Sequence, residues 1–209
     1  MSVDPRYRLC LVTDRGLARG RSLIDIALAA VAGGATMAQL REKTLPTRAF
    51  IEEARALKDR LAPLGVPLVI NDRADVAVAI GADGLHVGQD DMPYAMARAL
   101  MGPDKIIGLS ITALDQLDEE DARAADYLGI GPVFAQATKA DATPPLGLDG
   151  LRAARRMTSR PLMAIGGVAA DNAGALRDAG ADGLAVVSAI VAADDPRAAT
   201  REIAAAFGA

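Results

Sequence analysis

The chain has 209 residues, a formal net charge of −4, 51% apolar residues and 24% charged ones. That length suits one domain with a sizeable core, and the negative balance excludes a general attraction to nucleic acid or to an anionic membrane surface. Tryptophan is absent and aromatics make up 3%, so the core has to be built from Ala, Leu, Ile, Val and Met.

In chain order, short apolar runs alternate with longer amphipathic stretches. Strands are predicted over Leu9–Val12, Met37–Arg41, Leu68–Asn71, Gly84–Val87, Ile106–Ser110, Tyr127–Ile130, Leu162–Ile165 and Leu184–Val187. Helical patterns cover Ser22–Ala32, Pro46–Leu61, Ala74–Ile80, Pro93–Leu100, Ala113–Ala124, Leu148–Met157, Asp171–Ala179 and Pro196–Phe207. Several strands are too apolar for a half-solvated antiparallel sheet, so they are expected in a parallel sheet with helices on the outside. Eight strands and eight helices give the (β/α)8 number and predict a single TIM-barrel domain spanning residues 1–209. A doubly wound open sheet is the competing architecture. It is disfavoured because the first strand runs into Thr13-Asp14-Arg15-Gly16, with no G-x-G-x-x-G fingerprint.

An internal echo supports the barrel. Gly34-Ala35-Thr36-Met37, Gly81-Ala82-Asp83-Gly84, Ala124-Ala125-Asp126-Tyr127 and Gly180-Ala181-Asp182-Gly183 each lead into an even-numbered strand. The spacing, roughly 45–55 residues, is that of a βαβα unit. These motifs lie at strand N-termini and are read as structural. Cys10, the single cysteine, lies in the run Leu9-Cys10-Leu11-Val12 and is expected as a buried strand residue. The chain shows no signal-like opening and no apolar run long enough for a bilayer, so a cytoplasmic location is expected.

Chemistry in this fold belongs to the C-terminal strand ends. After the second strand, alternation puts Gln39, Arg41 and Lys43 on one side and Leu40 and Glu42 on the other. An inward guanidinium beside an ammonium suits a phosphate or diphosphate; the other reading is a solvated strand end with a Glu42 salt bridge. The third strand delivers Asn71-Asp72-Arg73 and the fourth His86-Val87-Gly88-Gln89-Asp90-Asp91. Asp72 and Asp91 are hard oxygen ligands of the kind Mg²⁺ uses with substrate phosphates, although Asp72 could equally be a helix N-cap. His86, the single histidine, is expected to act structurally or from behind the site. Ser110 offers a hydroxyl for binding, and Lys139 adds a cation in the irregular stretch Thr138–Gly147. The Gly166-Gly167 pair after the seventh strand and a short turn over Ala189–Ala192 after the eighth match the usual phosphate cup of this fold.

Taken in order, the motifs resemble the thiamine phosphate synthase family over nearly the whole chain. They are Leu11-Val12-Thr13-Asp14, Gln39-Leu40-Arg41-Glu42-Lys43, Asn71-Asp72-Arg73, Gly84–Asp91, Gly108-Leu109-Ser110, Gly129–Phe134, Thr138-Lys139, Pro144–Gly147 and Ala164–Val168. The resemblance implies a transferase that joins a hydroxymethylpyrimidine diphosphate to a thiazole phosphate, with loss of pyrophosphate. It implies that Gln39, Arg41, Lys43, Asn71, Ser110 and Lys139 hold the pyrimidine diphosphate, with Arg41, Lys43, Lys139 and Ser110 serving the chemistry. It further implies Mg²⁺ on Asp72 and Asp91, and the thiazole phosphate on Gln136, Thr138, Gly167, Val187 and Ser188. Gln136 stands where the family usually carries a threonine. The related thiazole tautomerase and a non-catalytic precursor-binding regulator are the alternatives. The partners implied are small phosphorylated molecules; a homo-oligomer is open, and nothing in the sequence selects a surface for it.

Overall fold

The computed structural model describes residues 4–135 and 144–208. Gln136, Thr138 and Lys139 lie outside the described residues. Eight parallel strands close into a barrel in sequence order: β1 Leu9–Val12, β2 Met37–Leu40, β3 Leu68–Asn71, β4 Gly84–Val87, β5 Ile106–Ile111, β6 Tyr127–Ile130, β7 Leu162–Ile165 and β8 Gly183–Val186. Closure comes from β1 pairing with β8, so this is the expected (β/α)8 barrel. Around it run α1 Arg15–Ala18, α2 Leu23–Ala32, α3 Thr47–Leu61, α4 Ala74–Ile80, α5 Tyr94–Met101, α6 Glu120–Ala124, α7 Gly147–Met157, α8 Ala170–Asp178, α9 Ser188–Val191 and α10 Pro196–Phe207.

Helix starts follow local capping chemistry. Ser22 Oγ accepts from the Asp25 N–H, Asp14 Oδ1 from Leu17 and Asp195 Oδ1 from Ala198, at 3.2, 3.0 and 3.0 Å. One predicted helix is divided. Residues 113–124 form a 3-10 turn over Leu114–Asp118 and then α6, because Glu119 between them is extended (φ −73°, ψ 151°). The Gln116 side chain closes that turn by accepting the Thr112 and Ala113 N–H groups at 2.8 and 3.2 Å. The turn expected after the eighth strand is the helix α9. Among the described residues no helix is long and apolar enough to cross a membrane.

The internal echo has a physical function at the floor of the barrel. Asp83 Oδ2 accepts the Leu68 N–H at 2.9 Å, Asp126 Oδ2 the Ile107 N–H at 2.7 Å, and Asp182 Oδ2 the Leu162 N–H at 2.8 Å. Thr36 Oγ1 does the same for Leu9 at 3.0 Å. Each of these residues also donates its own N–H to the strand before it. The residue preceding every even strand thus satisfies an N–H at the start of the preceding odd strand, the first in β1, β3 and β7 and the second in β5.

Outward strand residues join the helices in the main core, whereas inward ones form a second cluster. Cys10, Met37, Val69, Ile106, Tyr127, Met163 and Ala185 fill the lower interior. Tyr7 packs beneath, with its ring centroid 5.3 Å from that of Tyr127. In a barrel poor in aromatics, two of the three tyrosines close the bottom. The top is therefore the end left for a ligand.

Candidate active site

At the C-terminal ends of the strands lies a cavity of about 340 Å³. It is lined by Val12 and Asp14 at and beyond the end of β1; Gln39, Arg41 and Lys43 at and beyond β2; Asn71 and Asp72 at β3; His86, Gly88 and Asp91 at and beyond β4; and Ser110 and Thr112 at β5. Gly129, Gly131 and Pro132 from β6, Ile165 from β7 and Val187 from β8 complete the wall. The period-two alternation read after the second strand holds in space, with Gln39, Arg41 and Lys43 on the cavity and Leu40 in the outer core.

The cations after β2 are held by neighbours on both sides. Arg41 Nη1 pairs with Asp14 Oδ2 at 3.1 Å, and the Arg41 N–H donates to Thr13 Oγ1 at 3.0 Å. Between Arg41 and Lys43, Glu42 turns away from the cavity and is buried. Its Oε1 accepts from the Thr44 N–H (2.6 Å), the Thr44 hydroxyl (2.8 Å) and the Leu45 N–H (3.0 Å), and its Oε2 accepts from Arg15 Nε (2.5 Å). Burial would raise the Glu42 carboxyl, but the Thr44 amide, Arg15, the Thr44 hydroxyl and the Leu45 amide together hold it down at about 2. The Glu42 salt bridge weighed above and the inward cationic row are therefore both present.

Lys43 Nζ forms an ion pair with Asp72 Oδ2. Asp72 is no helix cap. The residue preceding α4 is Arg73, which makes no side-chain cap bond, and Asp72 sits in the left-handed region at φ 61°. Asp tolerates that conformation better than most residues, and here it is fixed by the Asp72 N–H donating to His86 O at 2.8 Å. Asp91 Oδ2 accepts the Gly88 N–H at 2.8 Å. Burial and then the neighbouring Asp72 carboxylate raise the Asp91 carboxyl above its ordinary range, opposed by the Gly88 amide and Lys43. Two carboxylates that crowd each other on a cavity wall fit a divalent cation, which relieves that repulsion. Among the described residues no group of three or more His, Cys, Asp or Glu side chains is available to a metal. The remaining ligands would have to be phosphate oxygens or water, as Mg²⁺ commonly has.

His86 is buried but reaches the cavity wall, and both of its ring nitrogens face protein groups. Its Nδ1 is 2.8 Å from the Tyr127 hydroxyl and its Nε2 is 2.9 Å from Ser110 Oγ. Burial lowers its pKa to about 4, with the nearby Asp91 opposing, so the ring is neutral at pH 7. On the far wall, Gly166 and Gly167 both have positive φ, 93° and 67°. A Cβ on either would run into the loop after β6, at 2.5 Å from Pro132 Cβ and 2.7 Å from Phe134 Cβ. Asn172 braces this turn, donating to Gly167 O at 2.8 Å and accepting from the Ala169 N–H at 3.0 Å. Val187 precedes α9, whose first residue is Ser188. Val187 lines the cavity, whereas Gly167 and Ser188, in the turns after β7 and β8, are not among its lining residues.

Asp14, Tyr127 and Asn172 carry parts of the site that the sequence did not single out. For Tyr127 a signal existed: it pairs across the ladder with Gly108, and a Cβ at Gly108 would sit 2.1 Å from the Tyr127 ring. A glycine opposite an aromatic on adjacent strands marks room made for the ring.

Residues 9–190 match the family model described as thiamine monophosphate synthase. The chain belongs to that family. It is similar to the thiamine-phosphate synthase of Chloroflexus aurantiacus, 55% identical over 197 residues covering 94% of this chain and 91% of that one. The thiamine-phosphate synthase of Albidiferax ferrireducens is 56% identical over 189 residues, covering 90% and 86%. The solved thiamine phosphate pyrophosphorylase of Pyrococcus furiosus superposes with a TM-score of 0.89 at 37% identity, covering 98% of this chain and 96% of that one. A 3-hexulose-6-phosphate synthase at 21% identity and TM-score 0.68 shares the barrel alone. Membership of the thiamine monophosphate synthase family makes the chain an enzyme, a transferase of thiamine biosynthesis.

Proposed function

We propose that the chain condenses 4-amino-2-methyl-5-hydroxymethylpyrimidine diphosphate with a thiazole phosphate, giving thiamine phosphate and pyrophosphate. The observation that carries this reading is the gathering of Arg41 and Lys43 with Asp72 and Asp91 on one cavity. A simple monophosphate binder has no need of paired carboxylates. A tautomerase needs a free acid–base group, and both ring nitrogens of His86 are already engaged within the protein.

In this reading the diphosphate lies against Arg41 and Lys43, with Asn71 and Ser110 nearby on the same wall. Lys139, outside the described residues, would add a further cation. The bond between the methylene carbon and the diphosphate oxygen breaks, and the oxygen keeps the electron pair. Fixed cations aimed at that growing charge lower the barrier without reorganising during the reaction. Mg²⁺ held by Asp72 and Asp91 would neutralise further diphosphate charge. The amino group of the pyrimidine feeds electrons to the cationic methylene, and the thiazole nitrogen then forms the new C–N bond. No protein nucleophile is required. The backbone turns at Gly167 and Ser188, together with Val187, would seat the thiazole phosphate, with Gln136 and Thr138 following from the resemblance. Holding both substrates in line accounts for much of the rate.

The test is a pyrophosphate-release assay with both phosphorylated precursors and Mg²⁺, with the product identified by mass. Thiamine phosphate formed in equal amount to pyrophosphate is the expected result. Isomerisation of the thiazole phosphate without pyrophosphate release would overturn the reading.

A further inference from the structure

Four side chains from four strands make a continuous chain of hydrogen bonds under the cavity: Gln39 on β2, Tyr127 on β6, His86 on β4 and Ser110 on β5. Gln39 Nε2 donates to the Tyr127 oxygen at 3.5 Å. The phenol, already accepting there and fully buried at 2% exposure, gives its single proton to the nearer partner, His86 Nδ1 at 2.8 Å. A neutral imidazole carries one N–H. With Nδ1 accepting, that proton is on Nε2 and is donated to Ser110 Oγ at 2.9 Å. The Ser110 oxygen is thereby used as an acceptor. Its own proton finds no acceptor among the described residues and is left for the cavity that Ser110 lines. At the other end, Gln39 has committed its amide nitrogen inward. Its Oε1 accepts from none of the described residues, and Gln39 lines the same cavity.

We propose that Tyr127 and His86 are positioning residues that fix the polarity of this wall, turning the Ser110 hydroxyl proton and the Gln39 amide oxygen toward the ligand as donor and acceptor. An aminopyrimidine offers the complement, a ring-nitrogen acceptor and an exocyclic amino donor. Gly108 belongs to this arrangement of the wall as well. The space vacated by its missing side chain is where the Tyr127 ring lies, 2.1 Å from a would-be Cβ. The match to an aminopyrimidine rests on the proposed reaction; the proton order along the chain does not.

His86 is the chain's single histidine, so ¹⁵N-histidine labelling of the untagged chain gives one imidazole pair by NMR. The expected spectrum at pH 7 shows a protonated, pyrrole-type Nε2 and an unprotonated, pyridine-type Nδ1. A proton on Nδ1 overturns the proposal. In kinetics, Tyr127→Phe frees the tautomer and is expected to raise KM for the pyrimidine diphosphate by about tenfold. kcat and the KM for the thiazole phosphate should move little. Ser110→Ala should raise the same KM, and adding Tyr127→Phe to it should cost less than Tyr127→Phe does alone, since Tyr127 acts partly through Ser110 and partly on Gln39. Losses that multiply in the double variant overturn the proposal. If Tyr127→Phe does not fold, His86→Gln, which can still donate toward Ser110, should keep the KM that His86→Leu loses; equal losses in both count against it. Failure of the parent chain to make thiamine phosphate would sink the functional reading alone, because the imidazole spectrum is read without substrate.

Discussion

Replacing Glu42 with glutamine removes one negative charge from a buried pocket built entirely of donors. Two amides, a hydroxyl and the Arg15 guanidinium all point at the carboxylate, at 2.5–3.0 Å. The folded carboxyl titrates at about 2 against an ordinary 4.5. At about 1.4 kcal/mol per pKa unit, the charged form contributes roughly 3 kcal/mol to stability at neutral pH. Because the folded value is depressed, this contribution is fully present above pH 4.5 and is lost as the pH falls through 2. By linkage, it should shrink to about 2 kcal/mol at pH 3.5. Urea unfolding of parent and Glu42→Gln at pH 7 and pH 3.5 therefore has a two-part expected outcome. The variant is less stable by roughly 3 kcal/mol at pH 7, and the gap narrows by about 1 kcal/mol on acidification. Glu42 also ties down the turn that carries Arg41 and Lys43, so the KM for the diphosphate substrate should rise in the variant. A stability gap below about 1 kcal/mol at pH 7, or one that does not narrow at low pH, would refute the reasoning.

Asp91→Asn keeps an acceptor for the Gly88 N–H and removes a charge that burial and Asp72 already disfavour, so unfolding should shift by less than about 1 kcal/mol. Turnover should nevertheless fall by roughly 10²–10³ at fixed Mg²⁺, the range found on losing one group that stabilises developing charge; near-parent activity across a Mg²⁺ titration would remove Asp91 from the metal assignment. At the opposite end of the barrel, Asp182→Ala orphans the Leu162 N–H and breaks the 2.7 Å pairing with Arg155. It should cost about 2–3 kcal/mol in thermal or urea unfolding while leaving KM and kcat near parent values; a kinetic defect as large as that of Asp91→Asn would contradict the separation of floor and mouth.

The barrel itself was largely legible in the chain. Its strands are short apolar runs bracketed by Gly- and Asp-containing turns, and the β-strand period of two fixes which side of β2 Gln39, Arg41 and Lys43 occupy. The floor was legible too, since the repeated Asp before even strands recurs in the sequence and again in space as Asp83, Asp126 and Asp182. Helix limits were less so where side chains compete with the backbone, as Gln116 does in the stretch read as one helix over residues 113–124.

Local periods and turn residues are written into the chain, because backbone geometry imposes them within a few positions. Which side chains meet across strands far apart in the chain is settled by the folded barrel alone. Arg41 reaches Asp14 and His86 stands between Tyr127 and Ser110, from segments separated by 27, 41 and 24 positions. Asp72, for which the sequence left both a helix cap and a metal ligand open, is bent into a left-handed turn beside Lys43 and Asp91. Those meetings depend on the register and closure of eight strands at once, and no local pattern encodes that quantity.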